Sequence, residues 1–149
     1  MNAGLLYREG TVAGASPTAL VARLYEQAIE DLRQAVKALN GGDVELRSNR
    51  INHAILIVGL LQSQLNLDAG GKVAENLRNF YELLMRNLME AQILQSKTLL
   101  AQQITDLLAV REAWIEVERA ERTTTVAADL APVDIAASAA DAAHVDWKG

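Results

Sequence analysis

The sequence predicts an all-α fold: an antiparallel up-down four-helix bundle with an N-terminal arm and an Ala-rich C-terminal tail. Half of the 149 residues are hydrophobic, yet only 4% are aromatic and only two are proline. That balance, dominated by Leu, Ala, Ile, Val, Glu and Gln, favours helix over sheet. Four segments repeat apolar residues at helical spacing. The breaks between them are short, which makes consecutive helices antiparallel neighbours.

A chain of this length accommodates one domain of ordinary size plus tails. Residues 1–15 read as an arm, 16–122 as the bundle and 123–149 as an Ala/Asp-rich tail. The first helix is expected over about 17–39, with Ser16 as its cap and Pro17 at the first helical position, where a missing N–H costs nothing. Leu20, Val21, Leu24, Tyr25, Ala28, Leu32, Ala35, Val36 and Leu39 fall on one side. Arg23, Glu26, Glu30, Arg33 and Lys37 fall opposite, and Asn40-Gly41-Gly42 ends the segment.

Asp43 caps a second helix expected over about 44–66. Ile51, Ala54, Ile55, Val58, Leu61 and Leu65 share one stripe, while Leu46, Leu56, Ile57, Leu60 and Leu67 gather on the far side. A third helix, expected over about 72–95, buries Val73, Leu77, Phe80, Leu84, Leu88 and Ala91 and carries a second stripe of Met85, Met89 and Ile93. Ser96 caps a fourth, over about 97–121, with Leu100, Ile104, Leu107, Leu108, Trp114 and Ile115 inward. Gln102, Thr105, Asp106, Glu112 and Glu116 are expected outward. In the tail, order would come only from docking Val126, Leu130, Val133, Ile135 and Trp147 onto something else.

Several function classes are disfavoured. A net charge of -5 lacks the clustered cations that nucleic-acid binding requires. The chain has no cysteine, its first residues lack the pattern of an export signal, and the cytosol is the expected compartment. The longest uncharged apolar run, Ala54 to Leu61, is far short of the roughly 20 residues that span a bilayer, so no membrane insertion is expected. The Gly70-Gly71-Lys72 triplet lacks the glycine at 66 and the Ser or Thr at 73 of a phosphate loop, and a helix precedes it where a strand should. With His53 and His144 as the only histidines, a di-metal bundle site cannot be assembled. No nucleophile elbow occurs. Neither catalysis nor a cofactor nor a metal is expected. His53 raises a phosphotransfer alternative, but the lysine three residues on in such domains is replaced here by apolar side chains, and a hydrogen-bonded histidine beside an apolar stripe is the simpler reading.

The second stripes need a cover. Burial among neighbouring helices, or self-association into a homodimer as a helical-bundle adaptor, would provide one. The other reading is a groove for an amphipathic helix of a partner, with the methionines as adaptable contact surface.

From Ser16 to about Arg122 the chain resembles FliS, the flagellin export chaperone family. Ser16-Pro17 is followed by LYEQAI, Leu24 to Ile29, similar to that family's LYDGAI-like motif. Leu65, Gly70, Gly71, Ala74, Asn76, Leu77 and Tyr81 match its central pattern, with Gln64 and Phe80 as departures, and VREAW, Val110 to Trp114, matches its closing box. Leu83 stands where a second tyrosine is common, and Ser96-Lys97 where Asp-Pro often opens the last helix. The resemblance implies a cytosolic four-helix chaperone that binds the disordered C-terminal segment of flagellin, prevents premature polymerisation and is recognised by the flagellar export gate. It also implies that the N-terminal arm covers the groove before the partner arrives. The expected partner-binding residues are Leu56, Ile57, Leu60, Met85, Met89 and Ile93, with Tyr7 and Tyr25 as secondary contacts.

Overall fold

The computed structural model describes Tyr7 and residues 17–126, without the side chains of 118, 121, 122 and 124–126. Four helices follow one another: α1 (Pro17–Asn40), α2 (Val44–Ser63), α3 (Leu67–Leu94) and α4 (Lys97–Val126). Each packs on its neighbour in sequence, and α4 returns against α1, which closes the four-helix bundle. The expected Ser16 cap, Leu5, Leu6, His144 and the apolar tail positions from Leu130 to Trp147 lie outside the described residues.

The ends of the helices are built by side chains that satisfy free backbone groups. The Asp43 carboxylate accepts from Leu46 N at 3.1 Å, and Ser96 Oγ accepts from Leu99 N at 3.1 Å, as the sequence predicts. α1 closes with Asp43 N donating to Ala38 O at 2.9 Å and Gly42 N to Leu39 O at 3.3 Å. Gly42 takes the left-handed φ of 73° that this closure requires. α3 ends in the same way, except that its left-handed residue is Gln95 (φ 51°, ψ 44°).

Three boundaries differ from expectation. α2 stops at Ser63 rather than 66, because Leu65 is drawn into an antiparallel backbone pairing with Tyr7. α3 starts at Leu67 rather than 72, because the Asn66 side chain accepts from Ala69 N at 3.0 Å and caps one early turn. Gly71 then breaks that turn from the rest of α3 with φ 59° and ψ -137°, a conformation essentially restricted to glycine. α4 runs on to Val126 rather than fading near Arg122.

The core is a continuous aliphatic cluster with an aromatic end. Val21, Leu32, Ile51, Val58, Leu61, Leu77, Leu84, Leu88, Leu100 and Leu107 fill it, with Tyr7, Tyr25, Phe80, Tyr81 and Trp114 together. The α4 residues turned inward recur at 100, 103, 107, 110, 114 and 117, a three-and-four spacing typical of antiparallel bundles. That register corrects one expectation: Asp106, adjacent to the seam, is buried rather than outward, and it accepts from Gln102 Nε2 at 2.9 Å.

Candidate functional site

The second stripe of α2 divides in the structure. Leu56 is 71% exposed and Leu60 46%, but Ile57 is buried. The reason is angular: Ile57 stands 60° from Leu60 and nearer the core direction set by Ile51, Ala54 and Val58, so it drops into the flank of the core. On α3, Met89 is 52% and Ile93 79% exposed, while Met85 is half-buried against the core. Gly59 of α2 faces Met85 of α3, since a Cβ there would lie 3.9 Å from Met85 Sδ, an ordinary contact. Leu56, Leu60, Met85, Met89 and Ile93 therefore lie on two adjacent antiparallel helices.

More exposed aliphatic surface continues toward the end where α2 starts and α3 finishes. Val44, Leu46 and Leu94 stand open there. The register is set by polar contacts between the helices: Arg47 Nε donates to Gln92 Oε1 at 3.2 Å, Gln92 Nε2 donates to Ser48 Oγ, and Gln62 Nε2 donates to Arg78 O at 3.3 Å. Exposed Glu82, Arg86 and Glu90 on α3 border the apolar side chains with charge of both signs.

Tyr7 and Tyr25 are not on this open face. Both are buried, and their hydroxyls converge on that of Tyr81: Tyr25 at 2.6 Å, and Tyr7 through a second hydrogen bond. The Tyr7 ring also packs edge-on against Trp114, with centroids 5.6 Å apart. Burial pushes all three phenols up from the ordinary tyrosine range, which leaves them as neutral hydrogen-bonding groups. Tyr7 is thus an arm residue seated in the bundle, and Tyr25 is core.

His53 stands on the flank of α2, half-exposed, with Nδ1 held 2.6 Å from Asp31 of α1. It is the hydrogen-bonded histidine that the sequence predicts. Sequence reasoning missed Asp31 itself, which is fully buried beside Leu32 on the inward side of α1. It also missed Arg47, buried at 7% exposure. A usable signal existed for the latter, because positions 47, 51, 54 and 58 share one helical face.

The sequence model of the family described as "Flagellar protein FliS" matches residues 1–121. The chain belongs to the FliS family. Among curated relatives, the "Flagellar secretion chaperone FliSB" of Pseudomonas aeruginosa is 32% identical over 106 residues, covering 71% of this chain and 84% of the relative. The "Flagellar secretion chaperone FliS" of Salmonella typhimurium is 31% identical over 111 residues (73% and 82%). Its namesake in Vibrio cholerae is 27% identical over 109 residues (73% and 80%). As a FliS-family member the chain is a flagellar export chaperone rather than an enzyme. No helix among the described residues is long and apolar enough to cross a membrane.

Proposed function

We propose that this FliS-family chain holds the disordered C-terminal segment of flagellin as an amphipathic helix on the open face of α2 and α3. The observation that carries the reading is the exposure of Leu56, Leu60, Met89 and Ile93 on neighbouring helices. Exposed aliphatic surface of this kind on adjacent helices is unfavourable in water and supports a surface that a partner covers. Recognition would be of the helix-in-groove kind, with Met85 and Met89 adapting to the incoming side chains.

Ordering a disordered segment costs about 2 to 5 kcal/mol of the gross interaction, so the client needs a broad apolar track rather than one pocket. Capture in the cytosol would keep the segment from polymerising and leave the subunit unfolded for delivery to the export gate. Ile57 and Tyr25 serve that surface from beneath, as the core that fixes the helices, while Tyr7 is buried against Tyr81 and Trp114.

Co-purification with flagellin tests the reading. Leu60→Asp and Met89→Asp should each abolish capture while preserving the helical circular-dichroism signal. If both variants unfold, the stripes are structural and the surface is misassigned. A defined 1:1 complex with the flagellin C-terminal peptide in light scattering separates the chaperone from a self-associating bundle, whose mass would stay unchanged by the peptide.

A further inference from the structure

Arg47 occupies a position on α2 that the helical repeat assigns to the core, in register with Ile51, Ala54 and Val58. It lies in the first turns of the helix, at an end of the bundle, and only 7% of it is exposed. A cation removed from water to this extent needs an anion or a full set of acceptors. Among the described residues its side chain has no anion; Nε has one acceptor, and the Nη groups still reach water at the surface. Its one hydrogen bond among the described residues is the neutral Gln92 amide oxygen at 3.2 Å. The carboxylates closest in sequence or across the seam, Asp43, Glu45 and Glu90, are exposed and form no ion pair with it.

Around this arginine the surface is aliphatic. Val44 (60% exposed) and Leu46 lie on its own helix, and Ile93 and Leu94 (62%) follow Gln92 on α3. Met89 and Ile93, four residues apart on α3, also belong to the track proposed for the client. A guanidinium without an acid, its stem buried and its tip at the surface of helices that also expose Val44, Leu46, Ile93 and Leu94, is complementary to a carboxylate flanked by apolar residues.

We infer that Arg47 is the socket for an Asp or Glu side chain on the bound segment, which fixes the register and end point of that segment along α2 and α3. The inference rests on the client reading above and adds a chemical requirement to it. Apolar anchors alone would let an amphipathic helix slide by one turn; one paired charge at the end of the track removes that freedom.

The test titrates the full chain with a C-terminally amidated peptide of the flagellin C-terminal segment, by fluorescence anisotropy. Arg47→Met replaces the cation by an apolar side chain of similar reach, so its melting temperature should be unchanged or raised while peptide affinity falls roughly tenfold. Replacing the acids of the peptide one at a time by amides should reveal one position that weakens binding to the wild type roughly tenfold and leaves binding to Arg47→Met unchanged.

The inference is overturned if Arg47→Met binds as tightly as the wild type, or if the acid scan against the wild type shows no such position. The scan needs no folded variant. A gain that appears only with the free-acid peptide would assign the socket to the terminal carboxylate and also overturn it. A wild type that fails to bind any form of the peptide defeats the client reading, and the socket with it; binding without dependence on Arg47 defeats the socket alone.

Discussion

The buried carboxylate of Asp31 accepts the Nδ1 proton of His53 at 2.6 Å across the seam between α1 and α2. The same carboxylate receives Gln27 Nε2 at 3.1 Å and Arg50 Nη1 at 3.5 Å. An acid with no solvent access is held here by three donors, two of them on the next helix. Asp31→Ala should lower the stability measured by urea unfolding by about 1 to 3 kcal/mol. That is less than for a wholly buried pair, because His53 and Arg50 are partly exposed and regain water. An unchanged urea midpoint would show that the cluster contributes nothing to the α1–α2 contact.

All three tyrosines of the chain, Tyr7, Tyr25 and Tyr81, sit in one buried hydroxyl cluster with folded-state pKa values raised by burial. Below the ordinary value of about 10 both folded and unfolded phenols are protonated, and the contribution to stability is complete. As pH rises past 10, only the unfolded chain releases its protons. Stability should then fall by up to about 1.4 kcal/mol per pH unit for each tyrosine. Absorbance near 295 nm should show no phenolate until the far-ultraviolet helix signal is lost; smooth ionisation near pH 10 in the folded protein would contradict the cluster.

Glycine to alanine should have opposite signs at two positions that flank the α2–α3 connection. Gly59 lies within α2, with Met85 Sδ the nearest obstacle at ordinary contact distance. Alanine there should add about 0.5 to 1 kcal/mol by removing backbone freedom from the unfolded chain. Gly71 has φ 59° and ψ -137°, where any Cβ is strained, and Gly71→Ala should cost about 1 to 3 kcal/mol. Thermal melts of the two variants are sufficient, and shifts of the same sign would refute the assignment of the break.

Gln95 is the only described residue other than glycine with positive φ. Gln95→Gly keeps the closing bonds of α3, including Ser96 N to Ala91 O at 3.2 Å, and relieves the left-handed strain. The expected gain is about 1 kcal/mol, readable as a higher melting temperature without change in helix content. A lower temperature would mean that the Gln95 side chain contributes more than its backbone costs.

The helices were legible because their apolar spacing and caps agree: Asp43 and Ser96 cap where their side-chain chemistry predicts. The early end of α2 has a non-local cause. Leu65 leaves helical geometry to pair with Tyr7, a contact across 58 positions that no local pattern encodes. Ile57 was misread because a helix with apolar residues all round gives no sharp boundary between core and surface. Tyr7 and Tyr25, expected as contacts, are buried, each with its hydroxyl bonded to that of Tyr81; the apolar face of α1 already includes Tyr25, whereas no local pattern shows Tyr7. Leu56, Leu60, Met89 and Ile93 were legible as surplus to the core by counting faces alone.

The site of Tyr7 is assembled from α3, α4 and the link between α2 and α3, through Tyr81, Trp114 and Leu65. It does not exist until those pieces have met, so Tyr7 can only dock late. Substitutions of Tyr7 should therefore act on the unfolding limb of a kinetic chevron and spare the folding limb. Tyr7 is expected to work as a clasp: a contact that plays no part in finding the bundle and governs how long the bundle, once found, stays closed.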